Sequence, residues 1–279
     1  MAPFLPFGRP LRGDALATTQ PNSTALTLAL RVSGLRVVYG PVVAVDGIDL
    51  EVREGEIYGL LGPNGAGKTS ALSAIEGLLR PAAGNIVIGD IDARAHPLQA
   101  KAQLGVQLQA TSFQSALTLV ELVRLFAGLY GVTLSAIQIR KLLDEINLQS
   151  EASKRFRQLS GGQQQRFSLL IATIHDPALV LLDEPTAGLD PQGRRQLWDR
   201  IERFRKEGRS ILLTTHSMEE AQAVCDRVAI MDHGKILTVG TPAALIATHR
   251  DDPKVREAAH GEVTLEDVFI ALTGRELRD

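Results

Sequence analysis

The segment LSGGQQQR, residues 159–166, lies between GPNGAGKT at 62–69 and VLLDEP at 180–185, and this succession decides the fold. A phosphate loop by itself marks a nucleotide binder. A second glycine-rich segment, placed between that loop and an acidic strand end, marks one subclass of such proteins. GPNGAGKT follows the apolar run IYGLLG (57–62) and opens a helical pattern. That context separates a GxxxxGK[ST] loop from a glycine-rich turn that happens to precede a surface lysine. Across Gly62, Pro63, Asn64, Gly65, Ala66, Gly67, Lys68 and Thr69, with Ser70 following, backbone N–H groups are free to wrap phosphates, and the helix N-terminus adds partial positive charge. Lys68 is expected to reach the β- and γ-phosphates of ATP. The Thr69 hydroxyl is expected on Mg²⁺, an ion that binds neutral groups weakly and arrives with the triphosphate.

Four apolar residues, Leu179–Leu182, carry Asp183 and Glu184 to the end of a buried strand. Asp183 suits a water-mediated metal contact, and Glu184 suits polarisation of the water that attacks the γ-phosphate. Adjacent carboxylates at a strand end also serve as helix caps or solvent-facing groups, so the pair takes its meaning from the phosphate loop. His216 ends the run ILLTT, where a donor reaches the γ-phosphate. A lone histidine there is more often a structural hydrogen-bonder, and its candidacy rests on the other motifs. Chemistry of this kind is mostly positioning and charge stabilisation, because the phosphoryl transition state is loose.

Short β-rich runs alternate with helical patterns, which predicts an α/β fold with a mostly parallel sheet covered by helices. LALRV (28–32), LRVVY (35–39) and VAVDGIDLEV (43–52) precede any long helix and predict an antiparallel layer. GNIVIG and LGVQLQ are two further strand candidates. From Thr118 to about Arg157 the chain reads as a helical subdomain, with Leu119, Leu122, Val123, Phe126, Leu129 and Tyr130 on one face. Further on, PQGRRQLWDRIERFRKEG predicts a helix that starts at Pro191, ends at Gly208 and is striped by Leu197, Ile201 and Phe204. RVAIMDHGKILTVG reads as a hairpin turning at Asp232–Gly234. In TLEDVFIALTG, Leu265, Val268, Phe269 and Leu272 form the apolar stripe of a core-packing helix. The expected division is an extension at 1–25, an ATPase domain at 26–240 with its helical subdomain at about 118–158, and a C-terminal helical extension at 241–279.

A net charge of −2, from 30 basic and 32 acidic residues, supplies no overall positive field for nucleic acid or an anionic membrane surface. The single cysteine, Cys225, excludes an intramolecular disulfide and reads as a small buried hydrophobe in a reducing compartment. No window supplies the ~20 consecutive apolar residues of a membrane-spanning helix. The longest candidate, Leu117 to Ile139, is interrupted by Glu121, Arg124 and Gln138. The first residues hold several prolines, Gly8, Gly13, Arg9, Arg12 and Asp14 without a compact apolar core, and read as a disordered extension rather than a signal peptide. A role at a membrane therefore requires a membrane part from another chain.

Phosphate loop, LSGGQ, LLDEP and TTH occur in the order and spacing of ABC transporter nucleotide-binding domains, which the chain resembles from about Leu28 to Gly240. The resemblance implies a P-loop fold of the ABC type, with a mixed sheet, an antiparallel β layer and an inserted helical subdomain. It implies that Tyr39 stacks on adenine and that Gln109 joins the Mg²⁺ and water site. A packing tyrosine or a strand-end glutamine are the alternatives, and Gln107 lies only two residues from Gln109. Ser160, Gly161, Gly162 and Gln163 resemble the signature that contacts the γ-phosphate of ATP held by a partner subunit, and Asp190 resembles the loop linking the two sites. The signature carries no lysine or metal ligand, so alone it is an incomplete anion site. Two complete sites need two copies, or one copy and a relative, closed head to tail around two ATP molecules.

TTHSMEEAQAVCDRVAIMDHGKIL and the ending LEDVFIALTGRELRD look like the ATP-binding subunits of bacterial ABC-2 type drug exporters, the family resembling daunorubicin-resistance pumps. The resemblance implies a homodimer of ATPases at the cytoplasmic face of the membrane, driving efflux of a hydrophobic small molecule through a separate permease. QATSFQSALTLVE resembles the surface that grips such a partner, or is an ordinary loop leading into a helix. Another cargo (lipid, polysaccharide or ion), import, and action on ribosomes or DNA are competing readings. The last lacks the tandem ATPase units, coiled coils or zinc-binding cysteines that such proteins carry.

Overall fold

The computed structural model describes residues 27–107, 113–259 and 261–274. The expected 1–25 extension, Gln109 and the last five residues lie outside them.

Two sheets organise the chain. The first begins with β1 (Leu28–Tyr39) and β2 (Val42–Arg53) and adds β4 (Ala83–Ile88) and β5 (Ile91–Asp92) in the order β2-β1-β4-β5, all antiparallel. Buried and exposed residues alternate along β1 and β2, the signature of a sheet with one covered face. LALRV and LRVVY, read above as separate strands, are one strand. Between Val32 and Leu35 its pairing with β2 shifts register, and Gly34 takes a φ of +58° while its N–H donates to Asp49 Oδ1 at 2.8 Å. In sequence such a bulge looks like a break.

The second sheet has β3 (Ile57–Leu61), β6 (Leu104–Val106), β7 (Leu179–Asp183), β8 (Ser210–Thr215), β9 (Arg227–Asp232) and β10 (Lys235–Gly240), in the order β10-β9-β3-β8-β7-β6. All pairs are parallel except the β9–β10 hairpin. Every residue of β3 and β8 is buried, as expected of central strands covered on both faces. The hairpin turns through His233 and Gly234, both left-handed at φ +46° and +76°, which matches the twist of a two-residue connection. The mixed sheet, antiparallel layer and inserted helices are the fold class the motifs imply.

Between the sheets lies α1 (Lys68–Ile75), whose Ala71, Leu72 and Ile75 pack with Leu30, Leu50, Leu60 and Leu181. The opposite face of the second sheet is covered by α6 (Pro191–Lys206) and α7 (Met218–Val224). Pro191 occupies the first turn of α6, Gly208 lies just beyond it at φ +85°, and Leu197, Ile201 and Phe204 are its buried stripe. Cys225 lies in the same core, where burial pushes its thiol pKa well up.

The block after residue 113 forms a third core. Its α3 (Leu119–Leu129) and α4 (Ala136–Glu145) each start with a capping box, Thr118/Glu121 and Ser135/Gln138. Phe113 stacks on Phe156 at 4.2 Å, and Phe167, on α5 (Gly161–Ala172), meets Phe113 edge-on at 5.6 Å. Leu119, Leu122 and Val123 are buried and Phe126 is half-buried, but Leu129 is 70% exposed. Tyr130, the C-cap, leaves the expected stripe and stacks flat on the His175 ring at 3.6 Å. The helix ends there, so the three-four periodicity no longer governs where these two side chains go.

No helix among the described residues is long and apolar enough to cross a membrane. After the short α2 (Pro97–Ala102) and the elements above, the chain closes with α8 (Pro242–His249), α9 (Pro253–Ala258) and α10 (Leu265–Thr273). Leu245, Val255, Leu265, Val268 and Phe269 join the core beneath α6 and α7, with Leu272 partly buried beside them. Phe269 is fully buried. Phe269→Ala should therefore cost about 3–5 kcal/mol, read as a lower urea midpoint of the whole-chain transition. An unchanged midpoint would mean that α10 is not part of the cooperative unit.

Candidate active site

The phosphate loop is held where the two sheets meet. A Cβ on Gly62 would lie 2.3 Å from the Met231 carbonyl oxygen, and one on Gly67, at φ +105°, would lie 2.2 Å from that of Ala44. Glycine is required at both positions by backbone on either side. The Ala66 carbonyl accepts the Gly234 N–H at 2.9 Å, and Ala66 N–H donates to Pro63 O at 3.1 Å. Asn64, Gly65 and Thr69 are exposed, while Pro63, Gly67 and Ser70 are half-buried. No acidic side chain occupies the first turn of α1, so its N-terminal N–H groups keep their partial positive charge.

Lys68 is 4% exposed. Its Nζ donates to the carbonyls of Gly62 at 2.8 Å and Pro63 at 3.1 Å and lies 3.7 Å from Glu184 Oε1. Burial pulls its pKa down, opposed by Glu184 and Asp183. A buried ammonium held mainly by neutral carbonyls, beside an open helix N-terminus, suits a polyphosphate.

Asp183 ends β7, and its carboxylate accepts the Thr214 hydroxyl. Glu184 follows with φ +45°, a conformation that costs a non-glycine residue about 1–3 kcal/mol and is stabilised by its N–H donating to both Thr214 O at 3.1 Å and Thr214 Oγ1 at 3.0 Å. This turn sets the Glu184 carboxylate between Lys68 and His216, whose Nδ1 is 3.3 Å from Oε2 but not aligned for a hydrogen bond. Thr214, fully buried on β8, organises both acids and was missed in the sequence. Its signal was a polar pair, TT, closing an otherwise apolar central strand.

Among the described residues no group of three or more His, Cys, Asp or Glu forms a metal cage. Thr69 and Asp183 are hard oxygen donors, a set that fits a cation sharing its ligands with phosphate oxygens. Gln109 lies outside the described residues. Gln107, just past β6, donates its N–H to Leu181 O at 3.0 Å and has a buried side-chain oxygen without a partner among them.

Tyr39 ends β1, 47% exposed, and pairs with Val42. Two residues beyond Val42 comes Ala44, whose carbonyl abuts Gly67, so the ring rides on the hairpin that borders the phosphate loop. Ser160 caps α5, with Gln163 closing the box through Ser160 N–H to Gln163 Oε1 at 2.9 Å. A Cβ on Gly161 or Gly162 would meet nothing within 4 Å, and neither has a positive φ. Among the described residues, nothing demands glycine there. Gln165, one turn on, donates its side-chain amide to the Pro185 carbonyl and so links α5 to the segment after Glu184. Asp190 is exposed and caps α6, accepting the Gly193 N–H at 2.7 Å.

A cleft of about 190 Å³ borders Glu184, Thr186, Leu189, Thr215, His216 and Ser217. A larger one, about 620 Å³, lies between α4, α5 and α6 and includes neither phosphate-loop residues nor Asp183 or Glu184. The smaller is the one bordered by Glu184 and His216.

Glu76, the C-cap of α1, has its pKa pushed up to about 7 by burial and then by Asp183. The folded chain thus holds this proton more tightly than the unfolded one, whose carboxyl titrates near 4.5. That contribution is complete at low pH and is lost as pH rises through 7. Glu76→Gln should therefore unfold at higher urea than the unmodified chain at pH 8, with the gap closing towards pH 4.5. A pH-independent gap would place the penalty elsewhere.

The family model for the ABC transporter matches residues 45–187. The chain is 34% identical over 303 residues to the Nod factor export ATP-binding protein I of Cupriavidus metallidurans, covering 91% of this chain and 100% of that protein. It is 38% identical over 299 residues to the protein of that name from a Rhizobium species, covering 90% and 98%. A solved ATP-binding subunit of an ABC transporter superposes with a TM-score of 0.77 at 28% identity, covering 88% of this chain and 99% of that one. From the loop wedged between two sheets to likeness along nearly its whole length, the chain belongs to the ABC transporter family and is one of its ATPases.

Proposed function

We propose that the chain is the ATPase subunit of an exporter, working as a head-to-tail pair of copies at the cytoplasmic face of a membrane and driving a small hydrophobic or amphiphilic molecule through a separate permease. The observation that carries the paired arrangement is the open space at Gly161 and Gly162. Glycine in a helix costs about 1 kcal/mol relative to alanine. Gly62 and Gly67 of the phosphate loop are needed by contacts inside the chain, whereas Gly161 and Gly162 leave room for something from outside. ATP held by a second copy fits that space, with Ser160 and Gln163 beside it.

In this reading Tyr39 stacks on adenine and residues 62–70 hold the phosphates. Lys68 exchanges the Gly62 and Pro63 carbonyls for β- and γ-phosphate oxygens. Thr69, Asp183 and Gln109 hold Mg²⁺, which when bound offsets phosphate charge. Glu184 orients and polarises the attacking water, and His216 donates to the γ-phosphate. Asp190 faces the partner copy. Closure on two ATP molecules and reopening after hydrolysis shift a two-state equilibrium, because the nucleotide contacts differ between open and closed pairs.

Export is supported by the relatives named for Nod factor export and by the resemblance of the ending LEDVFIALTG to ABC-2 exporters. Those names favour Nod-factor-like cargo as a second reading beside a drug. The choice lies in the permease, since no part of this reading brings cargo to the ATPase.

Glu184→Gln should bind ATP, turn over ~10²-fold or more slowly, and accumulate as an ATP-bound dimer by light scattering; wild-type turnover would remove Glu184 from this role. Ser160→Arg should suppress steady-state hydrolysis while leaving ATP affinity of the monomer nearly intact. Equal loss of both would mean that the segment serves its own chain's site or simply the fold. Co-purification from native membranes tests the exporter reading: a hydrophobic multi-span chain without a solute-binding protein supports it, and a solute-binding protein in the complex points to import.

A further inference from the structure

Glu220, on α7, is fully buried, and the mechanism above gives it no task. Neither carboxylate oxygen is in an aligned hydrogen bond among the described residues. Facing it are the hydroxyls of Thr186 and Thr215 and the indole N–H of Trp198, with His216 close enough to act on it electrostatically. Trp198 Nε1 and His216 Nδ1 are likewise buried without aligned partners. Several polar groups thus converge on one point without a settled set of hydrogen bonds. Burial raises the Glu220 pKa, and these neighbours lower it only in part.

An acid in a core is costly unless its neighbours satisfy it, and an apolar residue of similar volume is often no worse for stability. What marks this acid is where its neighbours sit in the chain. Thr215 is the residue before His216, and its Oγ1 accepts the Ser217 N–H at 2.9 Å. Thr186 follows Glu184 by two residues and begins the stretch that runs to Asp190. Trp198 lies on α6, the helix that Asp190 caps. At the surface, Arg194 of α6 meets Glu219 of α7 at 3.3 Å, a second link between the same two helices.

We propose that Glu220 is a positioning residue, whose buried carboxylate ties the His216 end of β8 to the Thr186–Asp190 segment and to α6 through Trp198. The hydrolytic side of the chain's own site and the segment facing the partner copy then move as one unit. The idea rests on the roles given above to His216 and Asp190. Glu220 touches no substrate; it acts through Thr215 and Thr186 on the groups that do.

Trp198 is the sole tryptophan of the chain, so its emission reports on this junction directly. The experiment compares full-length wild type, Glu220→Gln and His216→Ala with MgATP, measuring kcat, KM, urea midpoint and tryptophan emission. The emission titration with ATP is repeated in a Glu184→Gln background, where turnover is suppressed. Glu220→Gln, nearly isosteric, should lower kcat about tenfold or more through misplacement of the reacting groups, with KM and ATP affinity little changed. Its tryptophan emission should differ from wild type without nucleotide and lose its response to ATP. Thr186→Val, which keeps the carboxylate and removes one donor, should lower kcat in the same direction and serves if Glu220→Gln does not fold. Wild-type kcat and emission response in Glu220→Gln, or in Thr186→Val where that serves, would overturn the proposal. So would a loss confined to the urea midpoint, which is the mark of a structural role. Unimpaired His216→Ala would instead undercut the site reading, whereas impaired His216→Ala beside normal Glu220→Gln would remove this inference alone.

Discussion

The structure turns on a three-way backbone junction. The Ala44 carbonyl of β2, the phosphate loop at Gly62–Gly67, and the β9–β10 hairpin at Met231–Gly234 approach so closely that Cβ atoms on Gly62, Gly67 and Gly234 would fall 2.3, 2.2 and 2.9 Å from a neighbouring carbonyl oxygen. Two hydrogen bonds fasten it, Gly234 N–H to Ala66 O at 2.9 Å and Asp46 N–H to Gly234 O at 2.8 Å. Here the antiparallel layer meets the six-stranded sheet. Because the loop is clamped on both sides, the start of α1 and Lys68 are placed by the packing of two sheets.

The electrostatics follow from that placement. A lysine buried at the sheet end needs compensation, and Asp183 and Glu184 arrive from β7 to provide part of it. Their own arrangement depends on Thr214 of the adjacent strand and on a left-handed backbone at Glu184. Local backbone cost is thereby exchanged for a carboxylate held between an ammonium and an imidazole. Such concentrations of strain and incomplete pairing mark functional sites more often than structural ones.

Two classes of glycine tell the rest. Those of the phosphate loop are explained inside the chain. Gly161 and Gly162 are not, since both look into open space at the start of α5. Gly128 of α3 shares that openness, so the idea of a site completed by a second copy rests on the contrast together with the resemblance of LSGGQ to a known signature.

Much of this was legible in the sequence. Continuous apolar runs identified β3, β7 and β8, because central parallel strands are buried on both faces, and Pro191 and Gly208 bounded α6 because helix ends have strong chemical preferences. The phosphate loop, the acidic pair and the signature could be read because each is a contiguous string. Tertiary structure decided what depends on distant chain segments: the fusion of two apparent strands across the Gly34 bulge, the exposure of Leu129, the packing of Tyr130 on His175, Thr214 beneath both acids, and Glu220 among residues of three elements. None of these leaves a periodic or local mark, since each is an encounter of side chains or backbone brought together only by the sheets and the helices laid on them.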